Sequence, residues 1–258
     1  MMFRTIAYGP SPDHVGDLYL PHRAGSSSSG RAPVVGLLHG GFWRLPYGRD
    51  HIAPIAVDLA DRGFAVWNLE YRRVGAAGGG WPGTLQDVGA GIDHLATLAE
   101  DGEPIDLDRV TVVGHSAGGQ LALWCARKDM GSGDGFQPKR VQISRAVGLA
   151  AVADLALAHE LRCGNGAIED FLGGSPAQVA ARYRSTSPAE MLPLGVRQLL
   201  VHGSVDVDVP AVISRRYAAA ASAAGDEVSF IELADAGHMD FIDPSSDAHA
   251  AWCSRLTA

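Results

Sequence analysis

Ser116 sits at the centre of Gly114-His115-Ser116-Ala117-Gly118, a Gly-x-Ser-x-Gly pattern. A serine hydroxyl is a weak nucleophile until a neighbouring base takes its proton, so the pattern needs partners before it means chemistry. Its glycines have a physical reason. A nucleophile held on a strained strand-to-helix turn leaves no room for side chains two positions to either side. In a chain this rich in Gly and Ser the pattern would arise by chance in roughly one case in four. What surrounds it sharpens the reading: Val110, Val112 and Val113 form an apolar run before it, and 118–128 has a helical composition after it. A helix starting just past Ser116 would aim its first amides at developing negative charge.

Three other segments carry matching chemistry. His39-Gly40-Gly41-Phe42-Trp43 follows the apolar run 34–38. Glycines there would let backbone amides turn inward, and Gly41 and Phe42 are the expected oxyanion donors beside the amide of Ala117, with the register open by one residue. The same glycines would also serve an ordinary tight turn. Asp206 and Asp208 follow the run 199–201 and precede Pro210. One of them should orient a catalytic imidazole, and the other would be a carboxylate at the start of a helix near Pro210. Gly237-His238-Met239 follows the run 228–233. A lone histidine is most often structural, but here serine, acid and histidine each come just after a separate strand candidate. That conjunction is the signal.

The other histidines and acids suggest supporting roles. His115 and His202 flank the expected site and should pack or hydrogen-bond beneath it, and His39 should brace the oxyanion loop through its ring nitrogens. No HExxH pattern appears, and the pair Asp206/Asp208 offers too few ligands for a hard cation, so no metal is expected. The glycine-rich stretch 75–83 lacks the form of a nucleotide-binding loop, and no cofactor is expected.

Strand candidates are 34–38, 64–69, 110–113, 146–149, 198–201 and 228–233, with 17–20 as an early antiparallel strand and the first few residues as another. Helical candidates are 51–61, 85–99, 118–128, 212–223 and 247–255. This alternation predicts an α/β fold with a mainly parallel sheet and helices on both faces. The stretch 21–33, with Ser26 to Ser29, reads as a hairpin loop inside a single domain of 258 residues. Between about 150 and 195 the alternation breaks. Helical signals at 168–172 and 177–183 there suggest a small cap-like insertion.

Composition bounds the rest. Hydrophobic residues make up 47% of the chain and charged ones 19%, enough apolar surface for a large core. The net charge of −8, with no basic run, argues against nucleic acid and anionic membrane partners. Residues 1–20 lack the layout of a signal peptide, and the apolar stretch 147–158 is too short to span a bilayer. Three cysteines without a CxxC pair read as reduced thiols of a cytoplasmic protein.

Taken together, these motifs resemble the α/β-hydrolase superfamily over nearly the whole chain. Within it they are most similar to kynurenine formamidase (arylformamidase) and related small carboxylesterases. The resemblance rests on His39–Trp43, on Gly114–Gly118, on the stretch 71–83, on 237–244, and on an HG-x-x-D-x-x-V-P loop at 202–210 that selects Asp206 over Asp208. It implies a Ser116, His238, Asp206 triad, an acyl-enzyme, and a small ester or amide substrate. Trp43 and Trp81 would be pocket walls, although Phe42 and Trp43 could equally be packing residues. Acyl transfer, short-peptide hydrolysis and a non-catalytic ligand-binding role remain alternatives, and oligomeric state is not readable.

Overall fold

The computed structural model describes residues 3–22, 30–128, 136, 138 and 140–256. Of the expected hairpin loop at 21–33, residues 23–29 lie outside the described residues, as does the segment 129–139 apart from 136 and 138. Eight strands form one sheet: β1 (Phe3–Ala7), β2 (Val15–Tyr19), β3 (Ala32–Leu38), β4 (Ala65–Leu69), β5 (Ile105–His115), β6 (Arg145–Leu149), β7 (Arg197–Gly203) and β8 (Val228–Leu233). Their order is β1-β2-β4-β3-β5-β6-β7-β8. β1 and β2 are antiparallel, β2 joins β4 antiparallel, and every pairing from β4 onward is parallel. This is the α/β-hydrolase architecture that the motif order implies.

The central strands are buried on both faces, which is why they read as continuous Val/Leu runs instead of alternating ones. Val34, Leu38, Val110 and Val112 face one core, while Val35, Leu37 and Val113 face the other. The first core is covered by α2 (Gly83–Glu100), α3 (Ala117–Cys125) and α7 (Val212–Ala223), and the second by α1 (Ala53–Asp61) and α8 (Asp247–Cys253). Burial of this apolar surface, at roughly 25 cal/mol per Å², is the main force holding helices to sheet.

The stretch 147–158 divides into the end of β6, a strand expected at 146–149, and a short helix, α4 (Leu155–Glu160), that was not expected. Asp154 marks the division: its side chain accepts from the Leu157 amide as an N-cap. After α4 come α5 (Ala167–Leu172) and α6 (Ala180–Thr186), so the segment between β6 and β7 carries three short helices. Among the described residues no helix is long and apolar enough to cross a membrane.

Candidate active site

Ser116 stands at the junction of β5 and α3. Ser116 has φ 57° and ψ −119°, a region a non-glycine residue occupies only when its surroundings force it, at a cost of about 1–3 kcal/mol. The Ser116 amide donates to Leu149 O (2.8 Å), and its carbonyl accepts from the amides of Gln120 and Val152. The flanking glycines have no room for a side chain. A Cβ at Gly114 would lie 2.0 Å from Gly118 O, and one at Gly118 would lie 2.2 Å from Leu38 O. The turn is thus wedged between the ends of β3 and β6.

His238 reaches this turn from the loop after β8. Its Nε2 is 2.9 Å from Ser116 Oγ and its Nδ1 is 2.7 Å from Asp206 Oδ2. The loop is braced locally, because Asp240 accepts from the Gly237 amide and His115 Nε2 donates to the His238 carbonyl (2.9 Å). Burial, with the charge of His238 beside it, pushes the His115 imidazole down to about 3, so it stays neutral and simply donates.

Asp206 lies in the loop between β7 and α7 with a side chain wholly removed from solvent. Its Oδ1 accepts from the amides of Asp208 and Val209 and its Oδ2 from His238, while His202 Nε2, which donates to Val209 O (2.7 Å), lies 3.2 Å from Oδ2. Burial alone would raise this carboxyl. The polar contacts with His202, His238 and Val209 outweigh it and hold the group well below the usual carboxylate range. Asp208, by contrast, is exposed and does not cap a helix: α7 begins at Val212 without a side-chain cap. The expected helix-start role of Asp208 is therefore corrected. Pro210 only precedes the helix.

The loop expected to hold the oxyanion donors leaves β3 in an unusual conformation, with Gly41, Phe42 and Trp43 at φ 102°, 50° and 55° in succession. Among the described residues the amides of Gly41, Phe42 and Ala117 have no hydrogen-bond acceptor in the protein. The loop presses directly on Ser116: a Cβ at Gly40 would lie 3.1 Å from Ser116 Cβ. His39 braces it, as its motif position suggests, with Nδ1 donating to Gly40 O. Its other nitrogen meets Glu70, a buried acid that no motif singled out. The available signal was a charged residue directly after an apolar strand.

The two tryptophans differ. Trp43 is fully buried, stacks on Phe171 with centroids 4.5 Å apart, and donates to Gln120 Oε1. It packs the interior and offers no surface to a substrate, which corrects its expected place in a pocket wall. Trp81 is half-buried under the Arg182 guanidinium, and its amide donates to Phe171 O. Phe42 lies against Gly164, where a Cβ would come within 2.5 Å of its ring.

Two groups among the described residues bring three potential metal ligands together. One is Asp206, Asp208 and His238, which are the site's own groups. The other is Asp58, His249 and Cys253 between α1 and α8, where Asp58 already accepts from His249 and from Arg62. A cavity of about 920 Å³ opens at the opposite end of the strands, beside Ser144, Arg197 and Glu227, and includes none of the site residues.

With this geometry in view, comparison with known proteins is informative. The BD-FAE family model matches residues 17–220, which include Ser116 and Asp206. The chain belongs to the BD-FAE family. Within curated proteins, this BD-FAE chain is 31% identical over 152 residues to a probable isoprenylcysteine alpha-carbonyl methylesterase of Arabidopsis thaliana, covering 57% of this chain and 30% of that protein. It is 28% identical over 244 residues to the esterase LipQ of Mycobacterium tuberculosis, covering 90% and 56%. The chain thus spans about a third to a little over half the length of these relatives. Among solved structures it superposes on a truncated carbohydrate esterase from gut microbiota (TM-score 0.84, 20% identity, covering 100% and 95%). It also superposes on a thermophilic esterase of Thermogutta terrifontis (TM-score 0.75, 20% identity, covering 99% and 89%). At such identity these two support the fold.

Proposed function

We propose that this BD-FAE protein is a serine carboxylesterase in which Ser116 is the nucleophile, His238 the general base and Asp206 the orienting acid. One observation carries the reading: a continuous hydrogen-bond chain from Ser116 Oγ through His238 to a buried Asp206 that accepts three hydrogen bonds. His238 takes the Ser116 proton as Oγ attacks an ester carbonyl. The oxygen that becomes anionic sits against the amides of Gly41, Phe42 and Ala117. His238 then protonates the leaving alkoxide, and water repeats the cycle on the acyl-enzyme. The esterase relatives support ester over amide.

The substrate is a small carboxylic ester. The motif resemblance to arylformamidases adds a narrower candidate, a formyl amide, whose acyl group needs almost no room beside Phe42. Trp81 is the remaining candidate for an aromatic pocket wall. The test is a set of parallel rates on a short-chain nitrophenyl ester series and on N-formylkynurenine. Hydrolysis of the short esters, abolished in Ser116→Ala, is the expected result. No turnover of any ester by well-folded protein would overturn the esterase reading, and a strong preference for the formyl amide would move the assignment to formamidase.

A further inference from the structure

We propose that Glu70 is a positioning residue for the oxyanion site and acts through His39; this inference rests on the esterase reading above. The sheet itself brings the two together. β3 and β4 run parallel with Leu38 paired to Leu69, so the next residue of each strand leaves the sheet beside the other. Those residues are His39 and Glu70. His39 Nε2 lies 2.8 Å from Glu70 Oε1, and its Nδ1 lies 2.8 Å from Gly40 O. Tyr71 stacks on the imidazole at 4.2 Å with planes 2° from parallel, and its hydroxyl donates to His39 O. The imidazole therefore has no freedom to rotate.

The carboxylate is held just as firmly. It accepts from the amides of Tyr71 (3.1 Å) and Arg49 (3.0 Å), and the Arg73 and Arg49 guanidinium groups lie 3.5 and 3.8 Å away. Burial would raise the Glu70 carboxyl, but the His39 bond and charge, the Arg49 amide and Arg73 together hold it below its ordinary range.

The consequence for chemistry follows from the planarity of one peptide. In a trans peptide the C=O and the following N–H point in opposite directions. Fixing the Gly40 carbonyl on His39 Nδ1 therefore aims the Gly41 amide the other way. This peptide is adjacent to the nucleophile, since a Cβ on Gly40 would come 2.9 Å from His115 O and 3.1 Å from Ser116 Cβ. Phe42 and Trp43, just beyond, hold left-handed backbone that relaxes unless the surroundings fix it. Glu70 fixes His39, His39 fixes the Gly40 peptide, and the peptide presents the amide.

The test measures kcat and KM separately on p-nitrophenyl acetate with the full chain. Glu70→Gln keeps the shape and removes the charge, and kcat should fall about tenfold to a hundredfold with KM within about twofold. His39→Asn places an amide nitrogen near the Nδ1 position, so it should keep much of the wild-type kcat, whereas His39→Ala should lose as much as Glu70→Gln. In the His39→Asn background, Glu70→Gln should cost nothing further in kcat. An equal kcat loss in both backgrounds, or a loss confined to KM or melting temperature, would overturn the proposal. Should Glu70→Gln fail to fold, equal kcat for His39→Asn and His39→Ala overturns it. Absence of ester turnover by the unaltered chain would instead fall on the esterase reading.

Discussion

The rings of Trp43 and Phe171 lie face to face, their centroids 4.5 Å apart and their planes 4° from parallel. Phe42, one residue earlier, packs against Gly164, and Arg44, one residue later, donates to Asp170 and to the carbonyls of Gly164 and Asn165. Three successive residues of the oxyanion loop are thus fastened to the segment around α5. The helices between β6 and β7 and the proposed oxyanion amides form one packed unit. Their geometry is therefore coupled.

That coupling predicts two different mutant behaviours. The Arg44–Asp170 pair is partly exposed, and such pairs contribute at most about 1 kcal/mol to stability. Arg44→Ala should accordingly leave the urea midpoint nearly unchanged while lowering kcat/KM severalfold. Phe171→Ala opens a void under Trp43 and should cost about 3–5 kcal/mol in urea unfolding. Unchanged kcat/KM in Arg44→Ala would show that the loop holds its shape without the clasp.

The two acids of the 202–210 loop should separate sharply. Asp206 has a buried side chain with both oxygens engaged, while Asp208 is exposed and contributes its amide to Asp206. Asp206→Asn puts an amide where His238 Nδ1–H needs an acceptor, which favours the wrong tautomer and should lower kcat by about 10⁴. Asp208→Asn keeps its backbone amide, so its rate should stay within about twofold. Steady-state kinetics on one short ester decides between them, and a reversed order would move the acid role to Asp208.

Ser116→Ala should lower kcat by about 10⁶ and abolish covalent labelling by a fluorophosphonate probe. Its urea midpoint should shift little, because Ala keeps the backbone of the φ 57° turn and loses only the Oγ contact with His238. Labelling of the mutant at another serine, with activity retained, would reassign the nucleophile.

How far these relationships were legible in the sequence depends on their range. The strands showed as apolar runs because burial on both faces leaves no polar alternation, and β8 and α7 have the expected bounds 228–233 and 212–223. Ser116, Asp206 and His238 each follow a strand; the motif order points to Ser116, His238 and one of two acids, and only the resemblance at 202–210 selects Asp206 over Asp208. Glu70 and α4 were not legible, for different reasons. Glu70 depends on β3 and β4 lying side by side, a contact between residues 31 positions apart. α4 hides inside an apolar stretch in which only Asp154 marks the turn. Trp43 was ambiguous because an aromatic residue in a loop gives no sign of which way it faces. Its left-handed backbone, at φ 55°, and the Phe171 ring beneath it are tertiary facts.

Acid sensitivity should trace to His115. Its imidazole titrates near 6.5 when unfolded and is pushed down to about 3 in the fold, first by burial and then by the charge of His238. Between those values the unfolded chain binds the extra proton and the folded one does not, so stability rises with pH there. The contribution is complete above about 6.5 and is lost as pH falls toward about 3, at up to about 1.4 kcal/mol per pH unit. Asp206 and Glu70, both held below their ordinary range, act later: their contributions are present above the unfolded carboxylate values near 4 and fade as pH falls below them. His115→Gln retains a donor for the His238 carbonyl but cannot titrate. Urea unfolding at pH 7, 6 and 5 should therefore show a flatter decline for this variant than for the wild type. Parallel declines would mean that half-buried histidines, such as His51 and His94, whose imidazoles partial burial also pushes down, dominate that window instead.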